Sequence, residues 1–62
     1  MKRKDIIRQL AEAGFSFEEG GNHTNVLDKN GKVVSQVARH KEIPQITVWK
    51  IEAQTGVKLQ GK

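Results

Sequence analysis

The sequence predicts an α+β domain of order α-β-β-β-α, in which a three-stranded antiparallel sheet carries two helices on one face. Three observations point there: helical apolar periodicity at both ends of the chain, three short strand-like runs between them, and turn residues at the joints.

From Lys2 to Ala13, residues Ile6, Ile7, Leu10, Ala11 and Ala13 fall on one side of a helical wheel, with Lys4, Asp5, Arg8, Gln9 and Glu12 on the other. This is an amphipathic helix, and Gly14 can take the left-handed conformation that stops it. "FSFEE" then sets Phe15 and Phe17 against polar neighbours, a half-buried strand broken at Gly20 and Gly21. A second strand runs through "HTNVL", with His23, Asn25 and Leu27 on one face and Thr24 and Val26 on the other. The alternation leaves open which face is buried. "DKNG" reads as a hairpin in which Asn30 and Gly31 both tolerate positive φ, and "KVVSQVA" supplies a third strand rich in β-branched residues. After the irregular "RHKEI", Pro44 opens the first turn of a last helix that reaches about Thr55, with Gly56 as its stop. On that helix Val48, Ile51 and Thr55 form one stripe, and Ile46, Trp49 and Ala53 form another. One stripe covers the sheet; the other is expected to leave Trp49 exposed for a protein partner, with the alternative that the indole folds over the edge of a thin core.

Sixty-two residues make one domain, expected over residues 1–62, and a chain this short buries only about 60% of the surface its unfolded form exposes. With no cysteine there is neither a disulfide nor a thiolate zinc site, and two histidines far apart in sequence are a poor metal set. No metal and no cofactor are expected. No apolar run approaches the roughly 20 residues needed to span a bilayer, and no signal-peptide pattern opens the chain. The expectation is a cytoplasmic protein without a membrane partner. A formal charge of +4 and an isoelectric point near 9.8 lean towards an anionic partner. Lys2, Arg3 and Lys4 stand together, and Arg39 and Lys41 flank His40. Cations at a helix N-terminus oppose the macrodipole, a local cost that hints at an anionic ligand.

No serine has the partners of a catalytic triad, no glycine loop has the spacing of a nucleotide cradle, and the carboxylates form no recognisable pair. His23 is the strongest chemical candidate, because imidazole titrates near neutral pH without help. It also reads as an ordinary polar residue on a solvated strand face. Gly20 and Gly21 read as a hairpin corner, or as a place where missing side chains let a phosphate approach the backbone. His40, between two cations, is assigned to ordering the turn into the last helix rather than to acid catalysis.

An opening helix ending in "AGF", a glycine turn leading to the strand histidine of "GGNH", then "RHKEI" and the helix "TVWKIEAQTGV" follow one another over nearly the whole chain. In order, spacing and total length they resemble the HicA toxins, small ribonucleases of type II toxin-antitoxin systems. The resemblance implies a fold like the double-stranded RNA-binding domain and the activity of an mRNA interferase, a metal-independent endoribonuclease. It maps the family's catalytic histidine onto His23 and its "RH" onto Arg39 and His40. Asn22 stands where the family often has serine, Ala38 where it often has proline, and Trp49 where it usually has a charged residue. The chemistry suits these residues, since RNA carries its own nucleophile in the 2′-OH and the protein need only move protons and stabilise a crowded anionic phosphate. Lys2, Lys4, Arg8, Gly21, Asn22, Arg39 and Lys41 are expected to hold the RNA. The implied partners are an mRNA substrate and a HicB-type antitoxin that covers the histidine site, with a higher-order toxin-antitoxin assembly left open. Two other classes stay in play: a non-catalytic double-stranded RNA-binding module, and a small protein-interaction domain with incidental basic charge.

Overall fold

The computed structural model describes residues 1–60. Its elements are α1 (Arg3–Glu12), β1 (Ser16–Glu19), β2 (His23–Leu27), β3 (Val33–Ala38) and α2 (Gln45–Thr55). The strands form a three-stranded sheet in the order β1-β2-β3, antiparallel throughout, with Glu19 opposite Thr24 and His23 opposite Ala38.

Glycine stops both helices as expected: Gly14 and Gly56 follow α1 and α2 at φ 99° and 77°. Pro44 lies one position earlier than expected, at the N-cap of α2, with extended backbone angles of −60° and 150°. Its carbonyl still accepts the Val48 N–H at 3.0 Å. The "DKNG" hairpin forms as expected between β2 and β3, with one detail of its own. Only Gly31 takes positive φ, at 81°, while Asn30 does not. The reason is Asp28, whose Oδ1 accepts the N–H groups of Asn30 and Lys32 at 2.9 and 3.0 Å, so the side chain organises a turn that needs one left-handed residue. A bulge between Val26 and Leu27 absorbs the change of register.

The core settles which face of the sheet is inside. Ile6 and Leu10 of α1, Val48 and Ile51 of α2, and Val26 and Val37 of the sheet bury together with Ile43 and Leu59. Both helices therefore cover the face that carries Thr24 and Val26, and His23 faces outwards. Ala11 and Ala13 are exposed, contrary to the wheel, because the core is thin enough for the one-turn pair Ile6 and Leu10 to reach it while small methyl groups at its margin do not. Gln9, on the expected polar side, instead exchanges two hydrogen bonds with the backbone of Gln60, at 2.7 and 2.8 Å.

One contact determines where the basic residues meet. The segment before α1 lies alongside residues 41–43: Ile43 N–H donates to Met1 O at 2.8 Å, Arg3 N–H donates to Lys41 O at 2.9 Å, and Lys2 bridges to Glu42. The opening basic triplet is thus brought against "RHKE".

Candidate functional site

His23 is exposed at the first position of β2. Pairing with Ala38 places it beside the end of β3, where the chain continues into Arg39 and His40. Gly21, Asn22, His23, Ala38, Arg39 and His40 line one open cavity of about 440 Å³. The strand register, not proximity in sequence, assembles this cavity. His40, assigned from sequence to the turn alone, shares it with His23.

The two glycines before the histidine do different things. A Cβ on Gly20 would stand 3.3 Å from both Asn25 Nδ2 and the His23 carbonyl oxygen, so packing accounts for that glycine. A Cβ on Gly21 would meet nothing within 4 Å, and Gly21 has no positive φ. Neither packing nor backbone geometry requires Gly21, and its missing side chain keeps the cavity floor bare.

A second cavity of about 630 Å³ lies next to the first, lined by Lys2, Arg3, Lys4, Arg39 and Lys41 with Glu42 as its one carboxylate. Arg39 lines both cavities. Its guanidinium donates to Glu19 Oε1 at 2.6 Å and to the Gly20 carbonyl at 2.8 Å, charge-assisted contacts that orient it between the two spaces.

Behind Arg39 runs a relay that sequence reasoning missed. Arg3 Nε donates to the Ala38 carbonyl at 3.2 Å, and an Arg3 Nη donates to Thr24 Oγ1. Thr24, 1% exposed, donates in turn to Glu19 Oε1 at 3.1 Å, and Glu19 receives Arg39. Each group satisfies the next: the buried hydroxyl accepts from one cation and donates to the carboxylate that binds the other. A signal for Arg3 existed, since it lies three, four and seven residues before Ile6, Ile7 and Leu10, on the inward stripe of α1. Lys2 and Lys4 are exposed to either side.

The structure thus gathers Gly21, Asn22, His23 and Arg39 at one cavity and Lys2, Lys4, Arg39 and Lys41 at its neighbour. Arg8 lines neither. It lies between Asp5 and Glu12, at 3.8 and 3.7 Å. Among the described residues no three His, Cys, Asp or Glu side chains are placed to hold a metal ion. No helix among them is long and apolar enough to cross a membrane.

Fold and site together define a small basic α-β-β-β-α domain with an exposed strand histidine at the edge of a cationic cleft. The chain belongs to the HicA family: the family model described as "HicA toxin of bacterial toxin-antitoxin" matches residues 3–57, which include His23 and every other expected site residue except Lys2. It is a toxin of a toxin-antitoxin system, with an antitoxin as partner. No curated protein and no solved structure matches the chain.

Proposed function

We propose that this toxin is a metal-independent endoribonuclease that cuts mRNA in the cytoplasm, with His23 as its proton carrier and a HicB-type antitoxin as its inhibitor. The observation that supports this most is Arg39, which lines both the His23 cavity and the cationic cleft. An RNA strand whose phosphates rest on Lys2, Lys4 and Lys41 passes Arg39 and presents its next phosphodiester to the imidazole.

In the proposed reaction His23 takes the proton of the 2′-OH as general base, or gives one to the leaving oxygen as general acid. The 2′ oxygen forms a new bond to phosphorus while the bond from phosphorus to the 5′ oxygen breaks. A 2′,3′-cyclic phosphate and a 5′-OH result, the proton lost at one oxygen being matched by the proton gained at the other. Arg39, held by Glu19 and Gly20, offers its remaining N–H groups to the phosphate as negative charge builds up. The bare floor at Gly21 and the amide of Asn22 complete the approach to the scissile group.

The test is incubation of the purified chain with mRNA in excess chelator, alongside His23→Ala. Cleavage by the first and none by the second is expected. Salt-sensitive RNA binding by both proteins, with cleavage by neither, would replace the enzyme with a non-catalytic RNA-binding module.

A further inference from the structure

β3 ends the sheet on one side, pairing with β2 alone among the described residues. The phase of that pairing follows from the turn before it. Gly20 N–H donates to the His23 carbonyl at 3.0 Å, so His23 turns its backbone groups towards β1. By alternation Thr24 and Val26 turn theirs towards β3, where their partners are Val37 and Ser35. Gln36 and Ala38 then point theirs away from the sheet. The Ala38 carbonyl accordingly accepts from Arg3, which leaves the N–H and C=O of Gln36 and the N–H of Ala38 as an open backbone row.

This row forms one wall of a groove of about 450 Å³. Thr47, Lys50 and Gln54, three and four residues apart on α2, form the other wall, and Gln54 is anchored by the Ser35 hydroxyl at 2.6 Å. Val33, 45% exposed, makes the lining partly apolar, and His23 lines the same groove.

We propose that this groove receives an extended segment of the antitoxin, which adds a fourth strand to β3 and ends over His23. The occupant itself follows from family membership, and only its inhibitory effect rests on the reading of His23 given above. An open row of alternating donors and acceptors recognises any extended peptide backbone, and side-chain pockets beside it choose among them. Here the choice falls on a segment with an apolar side chain for Val33 and a carboxylate for Lys50, the one residue of the groove with a fixed charge. A second copy fits less well, because it would bring Lys50 against Lys50 and one chain of charge +4 against another. The cationic cleft stays outside the groove, so the segment blocks the proton carrier and leaves the RNA-binding lysines uncovered.

The experiment is amide hydrogen exchange on the full chain carrying His23→Ala, alone and saturated with its co-expressed antitoxin, without RNA. Exchange at Gln36 and Ala38 should slow by about tenfold or more in the complex, as expected for amides drawn into a ladder. Lys50→Glu should weaken the complex by about tenfold. Gln36→Pro, which removes an N–H that β2 does not use, should abolish strand addition while preserving the free fold. Should that variant not fold, the exchange measurement still decides. Unslowed exchange at Gln36 in the saturated complex overturns the proposal. So does slowing in the chain alone that grows with its concentration, which would assign the edge to a second copy. Because no readout involves RNA, a toxin that fails to cleave RNA leaves this test intact.

Discussion

His23 stands in solvent at the start of β2, so its loss should remove chemistry and leave stability alone. His23→Ala is expected to lower RNA cleavage by roughly 10²–10⁴-fold, the usual worth of general acid-base catalysis. Its denaturant midpoint should stay within about 0.5 kcal/mol of the parent, as for surface changes generally. Gly21→Val makes a complementary case. Nothing crowds a Cβ there, so the variant should fold and melt normally, yet its branched side chain would occupy the approach to His23 and slow cleavage. Normal cleavage by Gly21→Val would place the substrate elsewhere. Thr24→Val should do the opposite. It keeps the shape but strips the relay of its hydroxyl, leaving the Arg3 guanidinium and Glu19 each short of a partner, at a cost of about 1–3 kcal/mol in urea unfolding. Thr24→Ser should restore most of that. The histidine could be read from the sequence because imidazole side chains are rare in this chain. Arg3 was hidden inside "KRK", where three neighbouring cations look alike until helix phase separates the inward one from the other two.

Between residues and molecule, α2 separates its two faces cleanly. Ile51 is buried at 1% exposure, whereas Trp49 and Ile46 are 60% and 76% exposed. Ile51→Ala should cost about 2–5 kcal/mol, enough to unfold a domain whose total stability is of that order. Trp49→Ala should change stability by no more than about 0.5 kcal/mol. The indole should emit at long wavelength in the free chain and shift to shorter wavelength if the antitoxin covers this face. An unshifted spectrum in the complex would confine the antitoxin to the other side of α2. Helix stripes and glycine stops were legible in the sequence because helical periodicity and positive φ leave a direct mark on composition. The buried face of β2 was not. Thr24 and Val26 on one side and His23, Asn25 and Leu27 on the other differ too little in polarity to choose, and the choice is made by Ile6, Leu10, Val48 and Ile51 from far along the chain. The hairpin at "DKNG" was legible, but the closing role of the Asp28 carboxylate was not, since a carboxylate closing a loop resembles any solvated acid.

For the whole molecule, the cations are unevenly placed. Lys2, Arg3, Lys4, Arg39 and Lys41 share the cleft, while Arg8 is bracketed by Asp5 and Glu12. RNA affinity should therefore fall steeply with salt, and each of Lys2→Ala, Lys4→Ala and Lys41→Ala should reduce the slope of log affinity against log salt by about 0.7 for single-stranded RNA. Arg8→Ala should change it less, because two carboxylates already offset that charge. Equal slopes for Lys4→Ala and Arg8→Ala would extend the RNA path along α1. The relay behind the cleft also bears on when the toxin first becomes dangerous. Its bonds join Arg3 to Ala38, Arg3 to Thr24 and Glu19 to Arg39, spanning 35, 21 and 20 positions of chain. Contacts so distant in sequence form late, after loop closure has been achieved elsewhere. On the proposed reading, a half-made chain on the ribosome has its histidine but not its cleft, and its activity waits until the segment carrying Arg39 has emerged and docked. Toxicity thus arrives in one step with folding, and an antitoxin has until that step to be waiting.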